Sequence, residues 1–197
     1  MRRLAVFDFD GTLIDSPQKE EGKKQWEKVK GEKYPYDGWW GRKESLDTDV
    51  FNIKPFPHVL AQLEKEKATP DTAVVIITSR MEKLRPEIEK IMDMYSIVVD
   101  DVLLKRGNEG KGDVILKIKN YNQDLKEIVV YDDFMNRDVG KIAEYTKITD
   151  QLSDDVEYTL YFVNKDKIGL LEGAGIVSFK STNRLLEMIS EEIEKLN

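Results

Sequence analysis

The sequence predicts an α/β fold: a mainly parallel five-stranded sheet, helices on both of its faces, and a small insert after the first strand. Three observations carry this. Short apolar runs of strand length alternate with segments of helical period along the 197 residues. Polar clusters close three of those runs, at Asp8–Thr12, Thr78–Arg80 and Asp132–Asp133, and the carboxyl edge of an open α/β sheet is where such folds gather their sites. The stretch that follows the first strand runs to about thirty residues where a few would suffice.

Leu4-Ala5-Val6-Phe7 opens the chain as a buried strand and ends abruptly in Asp8-Phe9-Asp10-Gly11-Thr12. Residues 16–49 show little regular periodicity and hold all three tryptophans, Trp26, Trp39 and Trp40, so they read as an inserted lid or recognition element. Pro55 and Pro57 open a helix that sets Val59, Leu60 and Leu63 on one face and ends near Lys67. After the turn Thr69-Pro70-Asp71, Thr72–Thr78 is the second buried strand. Leu84, Ile88, Ile91, Met92 and Tyr95 mark a helix face within 81–95. A third strand is expected over Ile97–Leu104, interrupted at Asp100 and Asp101. The loop 105–110 leads to a helix with Val114, Ile115, Ile118 and Tyr121. Glu127–Tyr131 is the fourth strand, and a helix through Val139, Ile142 and Tyr145 follows it. Glu157–Val163 alternates as the fifth strand, and Leu185, Leu186, Ile189, Ile193 and Leu196 line a last helix over about 182–196. Residues 1–197 read as a single domain carrying its insert at about 16–49.

Composition removes several chemistries. With no cysteine, thiol catalysis, disulfides and Cys-based zinc sites are excluded, and one histidine, His58, rules out a multi-His metal centre. His58 sits at a helix start and reads as structural. No apolar run approaches the ~20 residues that a bilayer crossing needs, and the N-terminus lacks a signal-peptide pattern, so the expectation is a cytoplasmic protein with no membrane partner. The net charge of −7 argues against a broad nucleic-acid footprint, yet residues 16–46 are slightly basic, with eight Lys/Arg against six Asp/Glu.

Two carboxylates at the tip of a buried strand repel each other and lose hydration. Residues i and i+2 of a strand point the same way, so Asp8 and Asp10 are expected to converge. A divalent cation is the simplest compensation, and hard oxygen ligands suit Mg2+. Gly11 lets the chain turn sharply straight afterwards. Trp26 reads as a plug between insert and body. Trp39 and Trp40, flanked by glycines and followed by Arg42-Lys43, admit two readings: plugs of the same kind, or platforms on which a base or sugar phosphate stacks beside a cation.

Asp8-Phe9-Asp10-Gly11-Thr12 resembles the first motif of the haloacid dehalogenase-like phosphohydrolases, in which the first Asp attacks phosphorus and the second is general acid and base. Thr78, after Val74-Val75-Ile76-Ile77, looks like the second motif, a hydroxyl on the transferring phosphoryl group; a hydroxyl there also suits a helix cap. Lys111, ahead of Gly112-Asp113-Val114, looks like the third, a lysine that neutralises phosphoaspartate and substrate, with Lys105 and Lys117 close enough to compete for the role. Tyr131-Asp132-Asp133 resembles the fourth, the acidic pair of the metal site. The resemblance covers nearly the whole chain and implies a Rossmann-like fold, Mg2+ as cofactor and a phosphomonoester as substrate. It implies Asp8, Asp10, Thr78 and Lys111 as the catalytic set. Mg2+ would sit on Asp8, Asp10 (through its main-chain carbonyl), Asp132 and, further out, Asp133. Gly11, Thr12 and Ser79 would lie around the phosphoryl oxygens. Asn136 departs from the family, which more commonly has an acid or histidine there, and Asp138 is as readily a partner for Arg137.

Two local stretches point to a substrate. Ser16-Pro17 ahead of Trp26, with Gly38-Trp39-Trp40, is similar to the branch called Swiss-army-knife RNA-repair-like. Asp47-Thr48-Asp49-Val50-Phe51-Asn52 resembles a segment of the 3′-phosphatase domain of phage polynucleotide kinase, where the arginine after the second motif contributes to catalysis. Here that arginine is Arg80, preceded by Ser79 in place of the commoner glycine. The resemblance implies a polynucleotide or nucleotide end as partner, met by Trp39, Trp40, Arg42 and Arg80. A nucleotide or sugar phosphatase would keep the chemistry and change the lid. A non-catalytic binding module of the same fold is the alternative outside enzymology. A dehalogenase is disfavoured, because Asp10 supplies the acid that a departing alkoxide needs.

Overall fold

Arg3–Phe7 (β1) is the central strand of a five-stranded sheet in a computed structural model that describes residues 1–133, 145, 148–149, 151–153, 155–163, 165 and 168. The helix expected over 182–196, together with Val139, Ile142, Asn136, Arg137 and Asp138, lies outside those residues. After β1 come α1 (Lys19–Lys30), a 3-10 turn (Lys43–Leu46), α2 (Pro57–Ala68), β2 (Thr72–Met81), a second 3-10 turn (Glu82–Leu84) and α3 (Arg85–Met94). Then follow β3 (Asp101–Lys105), α4 (Lys111–Tyr121), β4 (Glu127–Asp132) and β5 (Glu157–Phe162). Strand order is β3-β2-β1-β4-β5 and every pairing is parallel.

The apolar runs are continuous because both sheet faces are covered. Ala5, Phe7, Val74, Ile76, Val129 and Tyr131 face one core, with Val59 and Leu63 of α2, Ile88 and Ile91 of α3, and the insert. Leu4, Val6, Val75, Ile77, Ile128 and Val130 face the other, with Ile115 of α4 and Tyr145. On the first face, in-register Phe7, Tyr131 and Tyr161 stack at 4.4 and 4.7 Å. The Tyr131 hydroxyl donates to Glu66 at 2.6 Å, and Arg3 grips the same carboxylate at 3.0 and 3.1 Å. A buried carboxylate is tolerated when it is paired and hydrogen-bonded in this way. Burial, followed by Glu66, pushes the Tyr131 phenol well above its ordinary value.

Three expectations change at the edges of elements. The second strand continues past Thr78 to Met81, with an irregularity between them, because the polar Arg80 is held by an ion pair rather than by solvent. The third strand starts only at Asp101: Asp100 instead turns its carboxylate to the Val74 N–H at 2.7 Å. The insert contains a twelve-residue helix, α1, that periodicity did not announce. Its buried positions are Gly22 and Trp26, one helical turn apart, too few to make an apolar stripe.

The insert is closed at its base. Ile14 bridges Pro55, the Asp15 N–H bonds the Lys54 carbonyl at 2.8 Å, and the Phe56 N–H bonds the Leu13 carbonyl at 3.0 Å. It thus leaves the body after Asp15 and rejoins it near Lys54, a little beyond the expected 16–49. No helix among the described residues is long and apolar enough to cross a membrane.

Candidate active site

The carboxyl ends of β1 and β4 lie side by side, and their next residues carry the acids. Asp8 follows β1, donates its N–H to the Tyr131 carbonyl at 2.9 Å and is 5% exposed. Asp132 ends β4, fully buried, and Asp133 follows it. Carboxylate oxygens of Asp8, Asp132 and Asp133 all lie within 4.8 Å of one another. Lys111, first residue of α4, reaches between two of them, with Nζ 2.7 Å from Asp8 Oδ1 and 2.6 Å from Asp132 Oδ2. The Tyr145 hydroxyl donates to Asp132 Oδ2 at 2.5 Å. Of the three lysines that competed, Lys111 is the one placed here: Lys117 pairs with Glu109, and Lys105 is exposed.

Electrostatics suit this cluster to a cation. Three carboxylates converge where water is largely excluded, and Lys111 pairs with two of them. Burial alone would lower the Lys111 pKa, but Asp132 and Asp8 outweigh it, and the net direction is upward. Burial, then Asp132 and Asp8, likewise push the Tyr145 phenol well above its usual value. Three convergent carboxylates are hard donors of the kind that holds Mg2+. Asp8, Asp132 and Asp133 therefore fit the metal that the sequence implies.

Asp10 does not join them through its side chain. The strand ends at Phe7, so the alternation that would have aimed Asp8 and Asp10 at one point stops short. Arg80 instead takes both Asp10 oxygens, Nε to Oδ2 at 2.8 Å and Nη2 to Oδ1 at 2.7 Å. Gly11, at φ +75°, turns the chain, and a Cβ there would stand 2.3 Å from Asp133 Oδ2. Its role is to let Asp133 approach.

Two hydroxyls near the edge have capacity to spare. Thr12 Oγ1 is buried with no hydrogen-bond partner, a costly state unless a ligand or water completes it. Thr78 Oγ1 accepts the Arg80 N–H at 3.2 Å, which leaves its proton to give. Ser79 is exposed at the strand irregularity.

The insert separates its two neighbouring tryptophans. Trp39 is 2% exposed, donates its indole N–H to the Pro17 carbonyl at 2.9 Å and packs against Tyr34 and Phe51. A ring sealed in this way offers no face to a base, so the platform reading is corrected: Trp39 is a plug, like Trp26. Trp40 is 38% exposed, and the Arg80 guanidinium lies 5.0 Å from its ring centre. Arg42 is exposed over the Tyr36 ring at 4.2 Å. His58 rests beside Phe56 on the first turn of α2.

Sequence reasoning missed two polar partners. Ser45 is fully buried and accepts a hydrogen bond from Arg80 Nη1, and nothing in its Lys43-Glu44-Ser45-Leu46 setting announces that. Tyr145 fell on an expected apolar helix face, where a tyrosine reads as core.

No protein-family model and no curated protein matches the chain. Among solved structures it is similar to the HAD domain of effector protein Lem4 from Legionella pneumophila, at 15% identity and a TM-score of 0.53 over 96% of this chain and 94% of that one. A haloacid dehalogenase-like family hydrolase from Streptococcus pneumoniae aligns at 15% identity and TM-score 0.47, covering 79% and 82% of the two chains. A chain of the Pnkp1/Rnl/Hen1 RNA repair complex aligns at 16% identity and TM-score 0.46 over 83% of this chain, which spans 42% of that chain's length. At these identities the likeness is one of fold, and the fold is haloacid dehalogenase-like.

Proposed function

We propose that this chain, built on a haloacid dehalogenase-like fold, is a Mg2+-dependent phosphatase that hydrolyses a phosphomonoester through a phosphoaspartate on Asp8. The observation that carries the reading is the convergence of Asp8, Asp132 and Asp133 at the carboxyl ends of β1 and β4, with Lys111 paired to the first two. Mg2+ bound by Asp8, the Asp10 main-chain carbonyl and Asp132, with Asp133 further out, would supply the neutralising charge that lets a carboxylate meet a phosphate.

The chain's own residues do the rest. An Asp8 oxygen attacks phosphorus, the bond from phosphorus to the ester oxygen breaks, and Asp10 gives that oxygen its proton. Asp10 then takes a proton from water as the water oxygen attacks the acyl phosphate. The bond between phosphorus and the Asp8 oxygen breaks, releasing inorganic phosphate and restoring both carboxyl groups. Lys111 holds charge opposite the transferring group, and the Thr12 and Thr78 hydroxyls donate to its oxygens.

A polynucleotide or nucleotide end is the substrate we favour. Exposed Trp40, beside Arg80, and exposed Arg42, over Tyr36, offer a ring and a cation on the insert. The test is a phosphatase screen with an aryl phosphate and 3′- and 5′-phosphorylated oligonucleotides, with and without Mg2+. Release of phosphate from a 3′-end in preference to a 5′-end would support the full reading. Release from the aryl ester alone would keep the phosphatase and remove the polynucleotide. No release from any of them would favour a binding module.

A further inference from the structure

The insert and the acid–base carboxylate meet on one guanidinium. Arg80 is 2% exposed, at the far end of β2. Two of its nitrogens are given to Asp10, as described. The third, Nη1, donates to the Trp40 carbonyl at 2.7 Å and to Ser45 Oγ, both from the insert. Ser45 has its own orientation fixed, because its hydroxyl donates to the Arg42 carbonyl at 2.6 Å and so turns its lone pairs toward Arg80. Four of the five guanidinium N–H groups are thus given to protein, two of them to Asp10 and two to the insert. An arginine fork is planar and rigid. Any displacement of Nη1 swings the two N–H groups that hold Asp10.

We infer that Ser45 is a positioning residue for the reaction: through Arg80 it sets the carboxylate of Asp10. The inference rests on the phosphatase reading, because it needs Asp10 to deliver the leaving group's proton. It makes the 3-10 turn of the insert part of the catalytic apparatus, not merely a cover over it. Nothing in the sequence motifs assigns Ser45 a role.

Leaving-group dependence tests this. A nitrophenolate departs without a proton, whereas a simple alkoxide needs one from Asp10. Wild type, Ser45→Ala and Arg80→Lys would each be assayed on nitrophenyl phosphate and on an alkyl phosphate, with a melting curve for each preparation. Asp10 also serves the water step that both esters share, so the split is read in kcat/KM, which reports formation of the phosphoaspartate. Loss of one hydrogen bond to a charged group predicts that Ser45→Ala lowers kcat/KM by about tenfold on the alkyl ester and by less than about twofold on the aryl ester. Arg80→Lys keeps the charge but loses the fork, and should show the same split more steeply. Equal losses of kcat/KM on both esters would overturn the inference and leave the phosphatase standing. No change on either ester would do the same. If Ser45→Ala does not fold, the Arg80→Lys comparison decides alone. Wild-type inactivity on both esters would remove the phosphatase reading, and this inference with it.

Discussion

At the strand-end edge, three carboxylates lie within 4.8 Å of one another and two of them pair with Lys111, while polar groups of the insert turn to partners within it, the buried Ser16 Oγ and Trp26 Nε1 excepted. The Trp39 indole uses the Pro17 carbonyl, Lys23 caps the carbonyls of Tyr36 and Asp37, and the Tyr34 N–H goes to Glu27. One region concentrates like charge, and the other turns its polar groups mostly on itself. Convergent buried acids mark a candidate functional site. The insert meets that edge on Arg80, through the Trp40 carbonyl and Ser45.

The sharpest way to break that contrast is at Asp8. Asp8→Asn keeps the shape and removes the nucleophile, so turnover should fall by at least about 10³-fold while the melting curve stays near wild type. Excess chelator should silence the enzyme to a similar extent, and Mg2+ should restore it better than Ca2+, whose longer and more numerous bonds suit this cluster less well. Full activity in chelator, measured on the aryl ester, would detach the acidic cluster from the reaction.

Lys111→Met comes next. Removing one partner of a buried ion pair typically costs about 3–5 kcal/mol, so the melting temperature should drop, and added Mg2+ should recover more of it than in wild type. The sign of the pH dependence follows from the raised Lys111 pKa. Its stabilisation is complete below the unfolded-state value and is lost only as pH climbs through the higher folded one. Stability from this pair should thus be flat across neutral pH and decline only in strong alkali. A melting profile that falls between mildly acidic and neutral pH in wild type but not in Lys111→Met would contradict the assignment.

These two regions also differ in how far the sequence revealed them. Buried parallel strands are uninterrupted apolar runs, so Leu4–Phe7, Val74–Ile77 and Ile128–Tyr131 announced themselves and placed Asp8, Thr78 and Asp132 at their ends. Lys111 was legible as a lysine at a helix start, but its choice over Lys105 and Lys117 needed the distance to Asp8. The insert stayed opaque because its helix hides behind Gly22 and Trp26. The indole of Trp39 lies so close that a Cβ on Gly22 would stand 2.3 Å from it. No periodicity encodes a contact between residues so far apart in the chain. The partners of Asp10 were hidden for the same reason, since Ser45 and Trp40 reach it only through Arg80.

Trp39 and Trp40 put the comparison inside the insert itself. Trp39→Ala empties a buried site, and a loss of about 3–5 kcal/mol is usual for such a truncation. Its melting temperature and its turnover of every substrate should fall together. Trp40→Ala removes a ring that is more than a third exposed. It should melt nearly as wild type, yet lose about one to two orders of magnitude on an oligonucleotide, the equivalent of 1–3 kcal/mol of stacking, with little change on the aryl ester. Parallel losses for Trp40→Ala would make both rings structural and sink the polynucleotide reading.

The smallest expected effect belongs to Arg42. Its guanidinium is exposed over Tyr36, a contact that contributes only about 0.5–1 kcal/mol at such a site. Arg42→Ala should therefore hardly move the melting curve. If Arg42 meets a backbone phosphate, its loss removes one released counterion. A plot of log kcat/KM for an oligonucleotide against log salt should then become shallower by about 0.7 for a single strand. The aryl ester, which reaches no further than the strand-end cluster, should show no such change. The measurement needs only one variant, two substrates and a salt series. An unchanged oligonucleotide slope would take Arg42 out of the recognition surface and leave Trp40 as the insert's contact with substrate.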